Sequence, residues 1–133
     1  MEIRPFEPRD TANVYRLLIT NGWRHRIASE HYLQELVTAS QLTVVAVDES
    51  QIVGFARAIT DGLSNGYLSM VVVDEACRGR GVGTQLVERI IGGEPNVSWV
   101  LRAGRTGAQK FFSRLGFKAS TEAMERVRQP AAE

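Results

Sequence analysis

The sequence predicts one α/β domain over residues 1–133: a mixed, mostly antiparallel central sheet with about four helices and a frayed tail at 128–133. Two observations lead to this fold class. Between residues 42 and 73, three apolar, β-branched runs are separated only by short turns, which is typical of an antiparallel meander. A helical segment then connects the third run to another strand, and such a crossover makes the two strands parallel. With 44% hydrophobic residues, the chain can form one core.

The first forty residues predict a strand and two helices. Residues 1–6 form a short strand that prolines end. Asp10 is the predicted N-cap of the first helix, and Gly22 marks its end. Ser29 caps the second helix, which ends near Ser40. The polar and aromatic stretch between the helices is expected to be a loop.

The meander follows directly. Its predicted strands cover residues 42–47, 52–59 and 67–73. Residues 48–51 form a hairpin turn, because they are polar and stand between two apolar runs. Residues 61–66 contain two turn signals built on glycine. The three strands are therefore expected to be neighbours in the sheet.

The last third of the chain predicts two helices and further strands. Apolar residues at helical spacing predict a helix over 82–91, and a β-branched run predicts a strand over 97–103 that is parallel to the third meander strand. Thr106 is the predicted cap of a final helix that Gly116 stops. Residues 117–128 are expected to return as one or two last strands.

A glycine-rich loop stands where the third meander strand meets the next helix. It reads Arg78-Gly79-Arg80-Gly81-Val82-Gly83-Thr84. Glycines let backbone N–H groups approach an anion, and the first turn of a helix offers unpaired donors at the positive end of its dipole. The loop lacks the lysine of a Walker loop and the third glycine of a dinucleotide fingerprint. We predict a phosphorylated ligand at this loop, and the alternative is a tight turn flanked by solvated arginines.

Two segments resemble the GCN5-related N-acetyltransferase (GNAT) family. Residues 78–83 read Arg-x-x-Gly-x-Gly and resemble the pyrophosphate loop of that family. Residues 108–117 resemble its late segment, Ala-x-x-φ-Tyr-x-x-x-Gly-Phe. The predicted order of elements is similar to the GNAT acyltransferase fold from end to end. The resemblance implies acetyl-CoA as cosubstrate and a splayed pair of parallel strands at the CoA site.

The resemblance also implies which residues hold acetyl-CoA. Amides of the glycine-rich loop would bind the pyrophosphate, and the backbone of the third meander strand would pair with the pantetheine arm. Arg105 or Lys110 would contact the 3′-phosphate, and the alternative is a solvated basic face. The cofactor-binding prediction comprises Val71, Val72, Val73, Arg78, Gly79, Arg80, Gly81, Val82, Gly83, Thr84, Arg105 and Phe112.

The catalytic groups are less well defined. Acyl transfer needs a deprotonated amine and a proton for the leaving thiolate. In the family a tyrosine of the late segment often supplies that proton, but here the position is Phe112, and a phenyl ring cannot donate. Some members use a glutamate on the third meander strand as base; Tyr67 stands near that place, and Asp61 is the nearest acid. Tyr67 and Asp61 are the catalytic candidates, and the alternatives are an aromatic packing residue and a turn former.

The acceptor site lies between the first two helices in the family, which makes Trp23 and His25 predicted substrate-binding residues together with Arg57. The predicted reaction is direct attack of a primary amine of a small molecule on acetyl-CoA in a ternary complex. Two other functions stay open. One is acetylation of protein lysines or N-termini, and the other is acyl-CoA binding without turnover.

Composition bounds the partners and the compartment. The net charge of +1 and the lack of basic residues interleaved with aromatic ones predict neither a nucleic-acid nor a membrane partner. No apolar signal core or membrane-spanning run is present, so we expect a cytoplasmic protein. Two histidines and the single Cys77 show no metal-ligand spacing, so no metal is predicted. The resemblance admits a homodimer formed through an added C-terminal strand.

Overall fold

The computed structural model describes residues 1–129, which divide into two compact units. The first unit is Met1–Arg102 and holds the sheet and three helices; the second begins at Ala103 and holds one helix. The single domain over 1–133 stays a prediction. Residues 130–133, most of the predicted tail, lie outside the described residues.

The first unit alternates strands and helices along the chain. Its elements are β1 (Glu2–Pro5), α1 (Thr11–Thr20), α2 (Glu30–Ala39), β2 (Leu42–Asp48), β3 (Gln51–Thr60), β4 (Asn65–Val73), α3 (Val82–Ile91) and β5 (Ser98–Leu101). Short 3-10 turns at Pro8–Asp10 and Glu75–Cys77 precede α1 and α3. The predicted strands and helices of this unit are confirmed.

The five strands form one sheet in the order β1-β2-β3-β4-β5. The pairs from β1 to β4 are antiparallel, and β4 and β5 are parallel because α3 crosses over between them. Glu49 and Ser50 form the hairpin between β2 and β3, with φ of 49° and 65°. This left-handed conformation at both turn residues matches the twist of the flanking strands. The mixed, mostly antiparallel sheet is thus confirmed.

Helices cover both faces of the sheet. The buried cluster on the α1–α2 face consists of Val14, Leu17, Leu18, Ile27, Leu33, Val45, Phe55, Met70 and Val72. On the other face, α3 lies close to Gly54 of β3: a Cβ there would be 2.9 Å from Leu86 Cδ1 and 3.1 Å from Val82 Cγ1. Gly54 therefore permits the close approach of α3, which carries the candidate site at its N-terminus.

β4 contains one extra residue relative to β3. Arg57 pairs with Met70, whereas Ala58 pairs with Leu68, so Ser69 is skipped in the register. Such a bulge bends the strand and switches the face to which the following side chains point. Leu68 accordingly shares the α3 face with its partner Ala58, while Met70 lies in the cluster under α1 and α2.

The two predicted N-caps of the first unit differ in outcome. Ser29 caps α2 as predicted, since its Oγ accepts the Tyr32 N–H at 3.1 Å. Asp10 occupies the N-cap position of α1 as predicted, but its carboxylate makes no capping bond to the helix. It accepts the guanidinium of Arg4 at 2.8 and 2.9 Å and the Glu7 N–H at 2.8 Å. The charged partner in β1 outcompetes the helix N-terminus for this carboxylate.

The second unit contains α4 (Ala108–Ser113). The Thr106 cap is wrong, because Gly107 precedes the helix with a φ of 82° and no side chain caps it. Gly116 ends the helical segment as predicted: its φ is 93°, and the Phe117 N–H donates to the Phe112 carbonyl at 3.1 Å. This bond across a left-handed glycine is a common helix ending.

The predicted strands over 117–128 are wrong. No strand follows α4 within residues 117–129. The segment has little apolar surface to bury, since Met124 and Val127 are 95% and 59% exposed. A strand without an apolar face gains too little on pairing to offset the loss of conformational entropy.

Candidate functional site

The phosphate loop, Arg78–Thr84, joins the Glu75–Cys77 turn to the first turn of α3. Gly79 and Gly81 have φ of 80° and 82°. A side chain is strained in this region of backbone space, so glycine is needed at both positions for conformation. A Cβ at either position would meet no atom within 4 Å, so the space beside the loop is open. The loop can therefore accept a bound group against its backbone.

The start of α3 supplies donors to that space. Its first intrahelical bond runs from the Gln85 N–H to the Gly81 carbonyl at 3.1 Å, and Gly81, as the N-cap, has no side chain with which to cap the helix. The N–H groups of the first turn therefore keep no intrahelical acceptor and lie at the positive end of the helix dipole. Buried Val82 packs toward Gly54 and fixes this end of α3 on the sheet. The arrangement suits a phosphate group.

The two arginines of the loop have different environments. Arg78 Nε donates to the Val73 carbonyl at 3.1 Å, and its Nη2 donates to Asn21 Oδ1 at 3.2 Å. Both side chains are exposed. Because Arg78 uses N–H donors in bonds to Val73 and Asn21, Arg80 is the better candidate for a charge-assisted bond to phosphate.

Asn21, at the end of α1, belongs to this site and was not predicted. The residue is 9% exposed, and its Nδ2 donates to the Leu17 carbonyl at 2.8 Å and to Asp74 Oδ1 at 3.3 Å. Its Oδ1 accepts the Glu75 N–H at 3.1 Å and Arg78 Nη2. Asp74, Glu75 and Arg78 lie 53 to 57 residues after Asn21 in the chain. The sequence carries no local signal of the contact beyond the Asn-Gly pair that ends the helix.

The parallel strand pair opens beside the loop. β5 pairs with Asn65–Leu68, and β4 then continues through Ser69–Val73 past the last paired position. The bulge at Ser69 bends β4 where the pairing ends. Val71, Val72 and Val73 lie in this part, and the Val72 side chain is buried in the core. A ligand along this edge would therefore use the strand's backbone groups.

An open depression of about 390 Å³ lies at the paired end of β4 and β5. It is lined by Ile59, Thr60, Asp61, Asn65, Gly66, Tyr67 and Val100. Ile59, Tyr67 and Val100 are register partners on three neighbouring strands, so they form one floor. Ile59 and Val100 are 47% and 46% exposed, which gives this floor an apolar character. The depression brings both catalytic candidates, Tyr67 and Asp61, to one place.

Asp61 organises a turn, which is the alternative given for it above, and its assignment as a base stays a prediction. Its carboxylate accepts the N–H groups of Ser64, Leu63 and Asn65 at 2.8, 2.8 and 3.1 Å, and also the Ser64 hydroxyl at 2.9 Å. These bonds, that of the Ser64 N–H first, hold the pKa of Asp61 well below its usual range. A carboxylate that binds protons so weakly is a poor general base near neutral pH.

The predicted acceptor-binding residues are unequally exposed. Arg57 is 9% exposed, and its Nη1 donates to Ser40 Oγ at 2.9 Å, which favours a structural role at the end of α2; its assignment to the acceptor stays a prediction. Trp23 is partly buried and packs against the core cluster. His25 is exposed in the loop between α1 and α2. Trp23 and His25 stay predictions.

Arg105 and Phe112 belong to the second unit. The Phe112 ring contacts Phe111 and Phe117 edge to face, with centroids 4.9 and 5.6 Å apart. Its cofactor role, like that of Arg105, stays a prediction. Within residues 1–129, no group of three or more His, Cys, Asp or Glu is arranged to hold a metal ion. The same residues include no helix with the length and apolar character needed to cross a bilayer.

Comparison with known sequences gives two results. A profile of the acetyltransferase (GNAT) domain matches residues 39–119. The chain is also similar to the peptidyl-lysine N-acetyltransferase YjaB of Salmonella typhimurium, with 24% identity over 102 residues. That match covers 77% of this chain and 66% of the relative, slightly less than two thirds of its length.

Comparison with solved structures gives the same fold. A GNAT family acetyltransferase from Streptococcus pneumoniae is similar with a TM-score of 0.79 and 20% identity, over 97% of this chain and 98% of that one. A ribosomal-protein-alanine N-acetyltransferase from Brucella melitensis is similar with a TM-score of 0.77 and 18% identity, over 98% and 100% of the two chains. The predicted fold class is therefore confirmed.

Proposed function

The chain belongs to the GNAT family of acetyltransferases, and from this premise we propose that it transfers the acetyl group of acetyl-CoA to a primary amine. The profile match over residues 39–119 supports acetyl transfer as the class of reaction. The donor, the acceptor and the residues that act on them are proposed from the geometry of the first unit.

The phosphate loop carries the proposal for the donor. Gly79 and Gly81 adopt the left-handed conformation, the first turn of α3 offers unpaired N–H groups, and Arg80 is exposed beside them. A pyrophosphate bears the negative charge and the acceptor oxygens that such a site stabilises. Acetyl-CoA is a pyrophosphate ester that also carries an acetyl thioester, so it fits both the site and the class of reaction.

The chain contributes orientation to the reaction. In the transfer the amine nitrogen bonds to the acetyl carbon, the carbon–sulfur bond breaks, and the thiolate takes up the proton that the amine releases. We assign the pyrophosphate end to the phosphate loop and the pantetheine arm to the backbone of Val71–Val73. Holding thioester and amine together in this way contributes a large part of the rate, because the reactants no longer have to meet from solution.

Tyr67 is the catalytic candidate that we retain. It lies on the floor of the depression between Ile59 and Val100. A phenol can both donate and accept a hydrogen bond, which Phe112 cannot do. We assign to Tyr67 the orientation of the acceptor amine and the transfer of its proton. Tyr67→Phe should therefore lower kcat about tenfold or more while leaving acetyl-CoA affinity unchanged.

We assign a small-molecule amine as the acceptor. The depression of about 390 Å³ falls in the size range of small-ligand sites. Its floor is apolar, and the ionised Asp61 at its rim attracts a cationic amine. The expected acceptor is therefore an amine on an apolar carbon skeleton.

A lysine side chain of a protein is the second candidate acceptor. The Salmonella relative is named a peptidyl-lysine N-acetyltransferase, although it shares 24% identity. A lysine also presents a primary amine on an apolar stem, and the depression is open enough to admit one from a peptide.

The test is release of free thiol from acetyl-CoA at about pH 8, where a larger share of the amine is deprotonated. The panel should contain alkyl and aryl amines, amino acids, polyamines and lysine-containing peptides. Turnover with small amines alone supports the first candidate, and turnover with peptides alone supports the second. Absence of turnover with every amine, in protein that binds acetyl-CoA, would instead indicate a binding module.

The donor site has its own test in Gly81→Glu. A glutamate at this position adds a side chain and a negative charge where the pyrophosphate is proposed to bind. We expect calorimetry to detect no acetyl-CoA binding by this variant. Unchanged affinity in a folded variant would contradict the donor site.

A further inference from the structure

Asn21 connects the end of α1 to the segment that leads into the phosphate loop. Through Nδ2 it is bonded to the Leu17 carbonyl of α1 and to Asp74, and through Oδ1 to the Glu75 N–H and to Arg78. One amide side chain thus joins a helix end to three residues of a single turn. A polar network centred on a buried amide in this way holds one arrangement when the amide's donors and acceptor are satisfied.

Arg78 extends the network to the end of β4. Its Nε donates to the Val73 carbonyl at 3.1 Å, so its guanidinium spans from the strand to Asn21. The Asp74 N–H donates to the Val53 carbonyl of β3 at 2.8 Å, which ties the same turn to the sheet. Arg78, the residue immediately before Gly79, is therefore bonded to the end of α1 and to the end of β4, and the turn that leads to it is bonded to β3.

We propose that Asn21 is a positioning residue that acts through Arg78 to hold the phosphate loop in its anion-binding conformation. This inference rests on the proposed acetyl-CoA donor. Gly79 and Gly81 allow the left-handed conformation but do not enforce it, because glycine accepts many others. Anchoring Arg78 removes that freedom from one end of the loop, and the first turn of α3 fixes the other end. In this account Arg78 acts through its bonds to Val73 and Asn21, and Arg80 is the arginine that meets the phosphate.

The experiment compares two acetyl donors. Acetyl-CoA carries the pyrophosphate, whereas S-acetyl-pantetheine has the same thioester and pantetheine arm without it. For Asn21→Ala we expect kcat/KM with acetyl-CoA to fall about tenfold, the usual scale for loss of a hydrogen bond to a charged group. With S-acetyl-pantetheine we expect a change of less than about twofold, since this donor does not engage the loop. A purely structural role for Asn21 would lower both values together.

A double-mutant cycle tests the route through Arg78. If Asn21 acts through the guanidinium, Asn21→Ala and Arg78→Ala should each raise the calorimetric Kd for CoA, and the double variant should be no worse than the weaker-binding single variant. Additive losses would contradict the route. Calorimetry needs no turnover. The double-mutant cycle therefore tests the route even if acetyl transfer from S-acetyl-pantetheine is too slow to measure.

Asn13→Ala is the matched control. Asn13 is an exposed asparagine of the same helix, so its loss should leave the Kd for CoA unchanged. Equal losses with both acetyl donors in Asn21→Ala would overturn the inference while leaving the acetyl-CoA proposal intact. Failure of the wild-type protein to bind CoA would instead overturn the proposed function.

Discussion

Two arginines separated by one glycine show how position decides the use of a charge. Both side chains are exposed, but Arg78 donates to a backbone carbonyl and to an amide oxygen. A guanidinium has five N–H donors in a fixed plane. It can stabilise a turn or bind an anion, but the two roles compete for the same donors. Sequence alone predicts two interchangeable arginines, and the fold separates them.

Arg80→Gln is expected to weaken acetyl-CoA binding about three- to tenfold, because it removes one charge-assisted contact to phosphate. The loss should shrink at high salt, since Arg80 is exposed and its interaction is screened. Titration calorimetry at low and high ionic strength checks both statements. Arg9→Gln, an exposed arginine in the turn before α1, is the charge-matched control and should leave the affinity unchanged.

Asp10 illustrates a second competition at the residue scale. Its side chain is nearly buried and bonded to Arg4, and this partner first of all lowers the pKa of Asp10 below its ordinary value. A carboxylate with a lowered native pKa stabilises the fold above the pKa of the unfolded chain, and this contribution is lost as the pH falls through the native pKa.

Asp10→Asn should therefore lower the free energy of unfolding by about 1–3 kcal/mol at neutral pH, where the charged bond is lost. The difference between the two proteins should shrink as the pH falls below the ordinary aspartate pKa and through the lowered native pKa, because the wild-type carboxyl then loses its charge as well. Urea unfolding at neutral pH and along an acid series measures this change. If the difference in free energy of unfolding stayed constant with pH, the shape of the side chain and not its charge would account for the effect. Glu94→Gln, at an exposed glutamate, is the control.

At the scale of elements, what could be predicted depends on how local the signal is. Ser29 and Gly116 mark helix ends through residues three to five positions away, and both were predicted from sequence. The bulge at Ser69 and the contacts of Asn21 depend on which strand or turn lies opposite, and no local pattern encodes them. The strands expected after residue 117 were wrong, and Met124 and Val127 of that segment are exposed instead of packed on a sheet face.

The phosphate loop gives a prediction for an element. Gly81→Ala should lower the free energy of unfolding by about 1–2 kcal/mol, because alanine is strained at the left-handed φ of the N-cap. It should also weaken CoA binding, since relief of this strain turns the loop amides away from the ligand. Gly93→Ala is the matched control: the site is equally open but not left-handed, and a change within about 0.5 kcal/mol is expected. Equal effects of both substitutions on unfolding would contradict the assignment.

At the scale of the whole molecule, ligand binding and stability are linked. A ligand that binds only the folded chain stabilises it by about 2.7 kcal/mol at a concentration of one hundred times its Kd. The apparent Tm should therefore rise with the logarithm of acetyl-CoA concentration, and thermal denaturation measures this rise. The same titration with Gly81→Glu should give a flat line. A rise of equal size in that variant would show that CoA binds elsewhere.

The first unit supports such coupling because the candidate site draws on distant parts of the chain. Asn21 comes from α1, the Val53 carbonyl from β3 and the phosphate loop from the start of α3. The fold class and the phosphate loop were predictable because the residues that indicate them are contiguous in the sequence. The polar network beneath the loop was not, since its members are brought together only by the sheet and the helices.

The bulge at Ser69 also determines which neighbours a probe attached to β4 would contact. Leu68 and Met70 are two positions apart, which in a regular strand means the same environment. In this strand Leu68 shares the α3 face and Met70 lies under α1 and α2. A photo-crosslinking side chain at one position would capture different neighbours from the same group at the other. Deletion of Ser69 would leave the two labels on opposite faces, because they would then be adjacent residues of a regular strand, whereas only removal of the bulge with all residues kept would bring them to one side.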